Sequence, residues 1–183
     1  MTFPVVETTA TTSGTGTSSS PSVNLPSGIA ADDLLVVLFR CGYAAPVGWP
    51  AGWTEIAEEV DTATPFDATA IAYRWADGTE GSTITLSITN SRYTAIAYRI
   101  SGGLTSQAPE LSTIASGSDD SPDPASLTPT GGAKDYLWLW LGAWGSGSSS
   151  PPSGTPTNYS SPIGTGDSNG VVRVASASRS LNA

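Results

Sequence analysis

Histidine is absent from this 183-residue chain, and cysteine, methionine and lysine occur once each. Without histidine no Ser-His-Asp or Cys-His nucleophile can be assembled, and most zinc sites fall with them. With Cys41 alone, no intramolecular disulfide can form. Cys41 closes the apolar run Val36-Val37-Leu38-Phe39-Arg40, so it reads as a small, partly buried residue rather than a nucleophile. Lys134 and six arginines face 16 acidic side chains, a formal net charge of −9. A nucleic-acid binder needs clustered Lys and Arg against phosphate, and an anionic membrane surface repels such a chain. No nucleic acid and no membrane are therefore expected as partners. The start Met1-Thr2-Phe3-Pro4 has no charged n-region or apolar h-region. No apolar run approaches the roughly 18 residues of a membrane span. A soluble protein made in the cytoplasm is the expectation.

Hydrophobic residues make up 38 % of the chain and charged residues only 13 %, so Ser, Thr, Gly and Pro fill the difference. That balance suits short strands joined by many turns, in a single domain over 1–183. Phe3–Thr9 reads as a first strand, and the uncharged low-complexity stretch 10–21 as a flexible loop. Ser22–Pro26 is a brief second strand. Asp32 and Asp33 introduce Leu34–Arg40, a continuous apolar run of the kind a strand buried on both faces carries. Asp33 there closes a turn. A turn-rich loop with Trp49 and Trp53 leads to a weakly alternating strand from Trp53 to Glu58.

The hexamer Thr69-Ala70-Ile71-Ala72-Tyr73-Arg74 recurs letter for letter as Thr94-Ala95-Ile96-Ala97-Tyr98-Arg99. Each copy puts Ile and Tyr on one strand face and small alanines on the other, so that another layer can approach closely. The alternating stretch 82–89 lies between them, and the three predict an antiparallel meander. After the loop-rich span 101–134 comes Tyr136-Leu137-Trp138-Leu139-Trp140-Leu141, a period-two stretch with two bulky faces. Residues 145–166 read as a second flexible loop, and Val171–Ser178 as the last strand. No amphipathic helix is predicted. The sum is an all-β, jelly-roll-like antiparallel sandwich of eight to ten strands with long Ser/Gly/Pro-rich loops.

No catalytic, cofactor-binding or metal-binding residue emerges. Asp119, Asp120 and Asp123 offer calcium-type oxygens, but two prolines interrupt them and the reading is a solvated acidic loop. Glu55, Glu58, Glu59 and Asp61 raise the question of a glycosidase pair. On a regular strand Glu55 and Glu59 share a face while Glu58 opposes Glu59, and a solvated edge is the better account. The aromatic residues are the sharper feature. Tyr136, Trp138 and Trp140, with Trp49 and Trp53, form a candidate surface for a partner or a glycan. Packing against a covering layer or a neighbouring subunit is the competing reading.

The order of several short motifs resembles one known group. Val23-Asn24-Leu25-Pro26-Ser27-Gly28 precedes Asp32-Asp33-Leu34-Leu35-Val36-Val37. Pro50-Ala51-Gly52-Trp53-Thr54, Tyr73-Arg74-Trp75-Ala76, Ile84-Thr85-Leu86-Ser87 and Ala97-Tyr98-Arg99-Ile100-Ser101-Gly102 follow. Over about residues 3–144 this succession resembles the β-sandwich structural proteins of tailed-bacteriophage virions, tail-associated or capsid-decorating. The resemblance implies a location on the virion, no enzyme activity, no cofactor, a homo-oligomer, and other virion subunits as partners. It also implies a turn and a closing strand beyond Ser178–Ala183. A module that binds a host-surface glycan through its tryptophans is the alternative.

Overall fold

A computed structural model of the chain describes residues 3–43, 45–61, 67–105, 107–115, 124–145 and 155–182. Among the described residues ten strands follow one another as β1 (Val5–Ser13), β2 (Ser22–Asn24), β3 (Leu34–Cys41), β4 (Thr54–Asp61), β5 (Asp67–Trp75), β6 (Thr83–Thr85), β7 (Tyr93–Ser101), β8 (Asp135–Trp144), β9 (Ser160–Gly166) and β10 (Arg173–Asn182). No helix occurs among the described residues. The strands form a five-stranded sheet in the order β1-β7-β3-β5-β4, a three-stranded sheet β8-β10-β9 and a two-stranded ribbon β2-β6, with every pairing antiparallel. The all-β antiparallel sandwich is as expected. A jelly roll winds eight strands into two sheets, whereas sheets of five, three and two strands support the broader class.

The central strand β3 has no polar face because both of its faces are covered. Leu35, Val37 and Phe39 point into one core with Val23, Leu25, Leu86 and Ile88. Val36 and Leu38 point into a second core with Ile96, Tyr98 and Val174, lined further by Leu137, Leu139 and Leu141. The twin hexamers lie on either side of β3, in β5 and β7, in the same register against it: Val37 faces both Ala72 and Ala97. Their alanines (Ala70, Ala95, Ala97) line the first core, while Ile71, Ile96 and Tyr98 fill the second. The face assignment made from the sequence therefore holds. A period-two pattern decides which residues share a face wherever the strand is regular.

Four expectations are corrected. Residues 10–13 belong to β1, and Ser18 bridges to Ser91, so the proposed loop 10–21 is in part sheet. Thr side chains pair across strands as well as they fill loops, which the low-complexity reading overlooked. Residues 82–89 do not form the middle of a meander. Only Thr83–Thr85 is strand, and it leaves the central sheet to pair with β2. Leu86 and Ile88, expected from the sequence to share one core with Leu137, Leu139 and Leu141, instead donate their N–H groups to the Pro21 and Ser19 carbonyls, and their side chains sit in the first core, across the central sheet from the β8 leucines. Finally, Ser160–Gly166 of the proposed loop 145–166 is strand β9.

Polar groups fasten the layers. Asp33 closes its turn as expected, accepting from the Ala30 N–H at 2.8 Å, and it also takes the Arg99 Nε at 2.6 Å. Arg40, inside β3, pairs with Asp67 and donates to Thr69 Oγ1 at 2.7 Å. Between the two sheets Tyr98 donates its hydroxyl to Ser176 Oγ, both groups buried. Asp167 is a further hub, taking the N–H groups of Asn169, Val171 and Val172 and the guanidinium of Arg92. Cys41 is buried as expected, and burial pushes its thiol up.

Candidate functional site

The five aromatic candidates fall into two clusters on opposite sides of the central sheet. Trp49 and Trp53 pack against the first core, their rings 5.9 Å apart and 24° from parallel. One turn places them. Trp53 donates its backbone N–H to the Pro50 carbonyl, and Gly52 between them has φ +86°, a left-handed conformation that glycine adopts without strain. Two carboxylates of β4 anchor the loop: Glu55 accepts from Trp49 Nε1 at 2.9 Å, and Glu58 from the Val47 N–H at 2.6 Å.

That anchoring depends on a bulge. The pairing of β4 with β5 slips between Glu55 and Ala57, so Glu55 faces Ala72 and Glu58 faces Ala70. Both carboxylates thus lie on the first-core side, and Glu59, opposite Thr69, points the other way. The expected pairing of Glu55 with Glu59 is corrected to Glu55 with Glu58. Burial pushes the Glu58 carboxyl up; the Val47 N–H opposes this, and the nearby Glu55 charge adds to it.

Beside Trp53 opens a cleft of about 370 Å³ lined by Leu25, Arg74, Thr83, Ile84 and Thr85. Arg74 is held there by Glu80 (2.9 Å) and Asp77 (2.8 Å). An ideal Cβ on Gly52 would lie 2.4 Å from Arg74 Nη1, so the guanidinium rests directly on the glycine turn. Sequence reading missed Arg74, Thr83 and Thr85 as companions of Trp53. The signal was the arginine that ends the first hexamer.

The second cluster is the outer face of β8. Tyr136 and Trp138 meet edge to face at 6.2 Å, and Tyr136 donates its hydroxyl to the Gly132 carbonyl at 2.7 Å. Trp140 is only 5 % exposed. Its ring lies across Gly142 of its own strand, where an ideal Cβ would come within 3.0 Å, and it covers Ala175 and Ala177 of β10. Trp144 and Tyr159 extend this small outer core. The indole N–H groups of Trp138 and Trp144 are buried and have no acceptor among the described residues. Gly142 was the overlooked sign, since a glycine inside a strand often marks a close approach.

Among the described residues no group of three His, Cys, Asp or Glu side chains could hold a metal ion. Asp119, Asp120 and Asp123 lie outside the described residues. Among the described residues no helix is long and apolar enough to cross a membrane. No known protein family, curated protein or solved structure matches the chain.

Proposed function

We propose that the protein is a non-enzymatic structural component on the exterior of a tailed-phage particle, acting by protein–protein docking. The observation that carries the docking is the span between β7 and β8. Leu104, Leu111 and Ile114 are 48 %, 39 % and 44 % exposed on a stretch without regular structure among its described residues. Glu110 fastens that stretch to Thr130, accepting from its N–H and its hydroxyl. Large apolar side chains left exposed outside the core are what a partner surface supplies. The place on a phage particle rests on the order of motifs between residues 3 and 144. Particle composition tests both parts. Tailed-phage particles raised from cells carrying this sequence are purified and their proteins quantified by mass spectrometry. Many copies per particle, lost on changing Leu111 and Ile114 to Asp, are expected. Particles without the chain refute the proposal.

The second reading is a glycan-binding module, and it draws on the Trp53 cleft. An aromatic ring beside an arginine and the Thr83 and Thr85 hydroxyls is a set that stacks on and hydrogen-bonds to a sugar. Glycan-array binding that vanishes with Trp53→Ala in a folded protein supports it. A blank array sinks it.

A further inference from the structure

A sheet edge offers unpaired N–H and C=O groups to any strand that can approach, and folded proteins guard such edges. All but one of those in this molecule are guarded, in different ways. β1 carries a register break between Val6 and Thr8 beside Glu7. β4 carries Glu55, Glu58, Glu59 and Asp61 and its own bulge. β9 contains Pro162 and Ser161 at φ +52°, and its pairing breaks between Ser176 and Ser178. On that side the sandwich is also tied shut, because Ser13 Oγ donates to the Gly166 carbonyl and Ser168 N–H to the Gly14 carbonyl. The ribbon strands β2 and β6 are three residues long.

β8 has none of these devices. It pairs with β10 over ten consecutive residues without a break, and it contains no proline and one charge, Asp135, at its first position. No described strand pairs with its other edge.

We infer that this edge pairs antiparallel with β8 of a second copy, joining two three-stranded sheets into one of six. The sequence of β8 is complementary to itself in that arrangement. Facing residues of an antiparallel pair share a side of the sheet, so a two-fold axis at Trp140 sets Trp138 against Gly142 of the other copy. There it finds no side chain, only the Trp140 ring lying across that glycine. Tyr136 meets Trp144, and on the core side Leu137 meets Ala143 and Leu139 meets Leu141. Bulky residues thus face small ones or aromatic partners at each outer-face position. Charge permits the same arrangement. The two copies of Asp135 would stand ten residues apart along the sheet, roughly 33 Å, well beyond the screening length of about 8–10 Å. A parallel pairing would instead set them side by side.

The inference does not depend on the phage reading. A chain that dimerises through β8 and is absent from particles keeps the one and loses the other. Sedimentation equilibrium of the full chain tests it first, with a species of twice 18.6 kDa expected at micromolar concentration. Register is tested with Tyr136→Cys and Trp144→Cys variants, each checked for native circular dichroism and then mixed and oxidised; native Cys41 is buried. A disulfide-linked pair is expected at least tenfold more abundantly from the mixture than from either variant alone. A wild-type monomer at all concentrations overturns the inference. So does a dimer in which these two positions do not cross-link.

Discussion

Tyr98 and Ser176 join the two sheets through one hydrogen bond in a dry core, and its energetics follow from the burial of both groups. Ser176 is fully buried and Tyr98 2 % exposed. Tyr98→Phe removes the donor and leaves the Ser176 oxygen without it, at a cost of about 1–3 kcal/mol, and Ser176→Ala strands the Tyr98 hydroxyl at a similar cost. The double variant removes both polar groups together, and such a replacement is nearly neutral when shape is kept. The effects should therefore be strongly non-additive, with a coupling of about 2–3 kcal/mol. Urea unfolding of the four proteins at neutral pH measures it. In a chain of this size each kcal/mol also moves the melting temperature by about 2–4 °C. Additive single effects, or singles that each cost less than about 0.5 kcal/mol, would refute the account of this bond as a buried tie between layers.

Three further outcomes are expected. Asp67→Ala leaves the Arg40 guanidinium charged and buried, so it should cost about 3–5 kcal/mol, while Arg40→Met combined with Asp67→Leu should recover most of that in denaturant melts. Burial pushes Asp167 up, but the N–H groups of Val172, Asn169 and Val171 and the Arg92 guanidinium outweigh it and hold the carboxyl below its usual range. Its folded value lies under the unfolded one of about 3.9; its stabilisation is therefore whole above that pH and lost as pH falls through the depressed value. Acid unfolding should show this, with Asp167→Asn less stable at neutral pH and flatter in acid. Glu58, raised by burial, works the other way, because protonation relieves its cost as the pH drops. Trp140→Ala should cost about 3–5 kcal/mol in thermal or urea melts, as expected of a buried indole; a neutral effect would mean that the ring is surface rather than core.

Much of the fold was legible because a strand's period of two is local. The β3 run, the alanine faces of the twin hexamers and the leucine face of β8 could each be assigned from residues a few places apart. The same locality explains the errors. A bulge shifts every later residue of its strand to the opposite face, and nothing in Glu55-Ile56-Ala57-Glu58 announces where the slip falls, so Glu58 replaced Glu59 as the partner of Glu55. Strand β1 runs through Ser/Thr residues whose pairing depends on β7, some 80 residues away. Strand β9 contains a proline that argues against it and exists because β10 offers an edge.

The site divides in the same way. Composition and spacing alone determined that histidine-dependent chemistry is absent, that the architecture is all-β, and that β8 carries aromatic residues on one face and leucines on the other. Only the tertiary structure decided that Trp49 and Trp53 lie on the far side of the central sheet from Trp138 and Trp140. It also placed Arg74 on the Gly52 turn beside Trp53. Face alternation is written into a strand, but which sheet a strand joins, and what lies across from it, depends on contacts between residues distant in the chain.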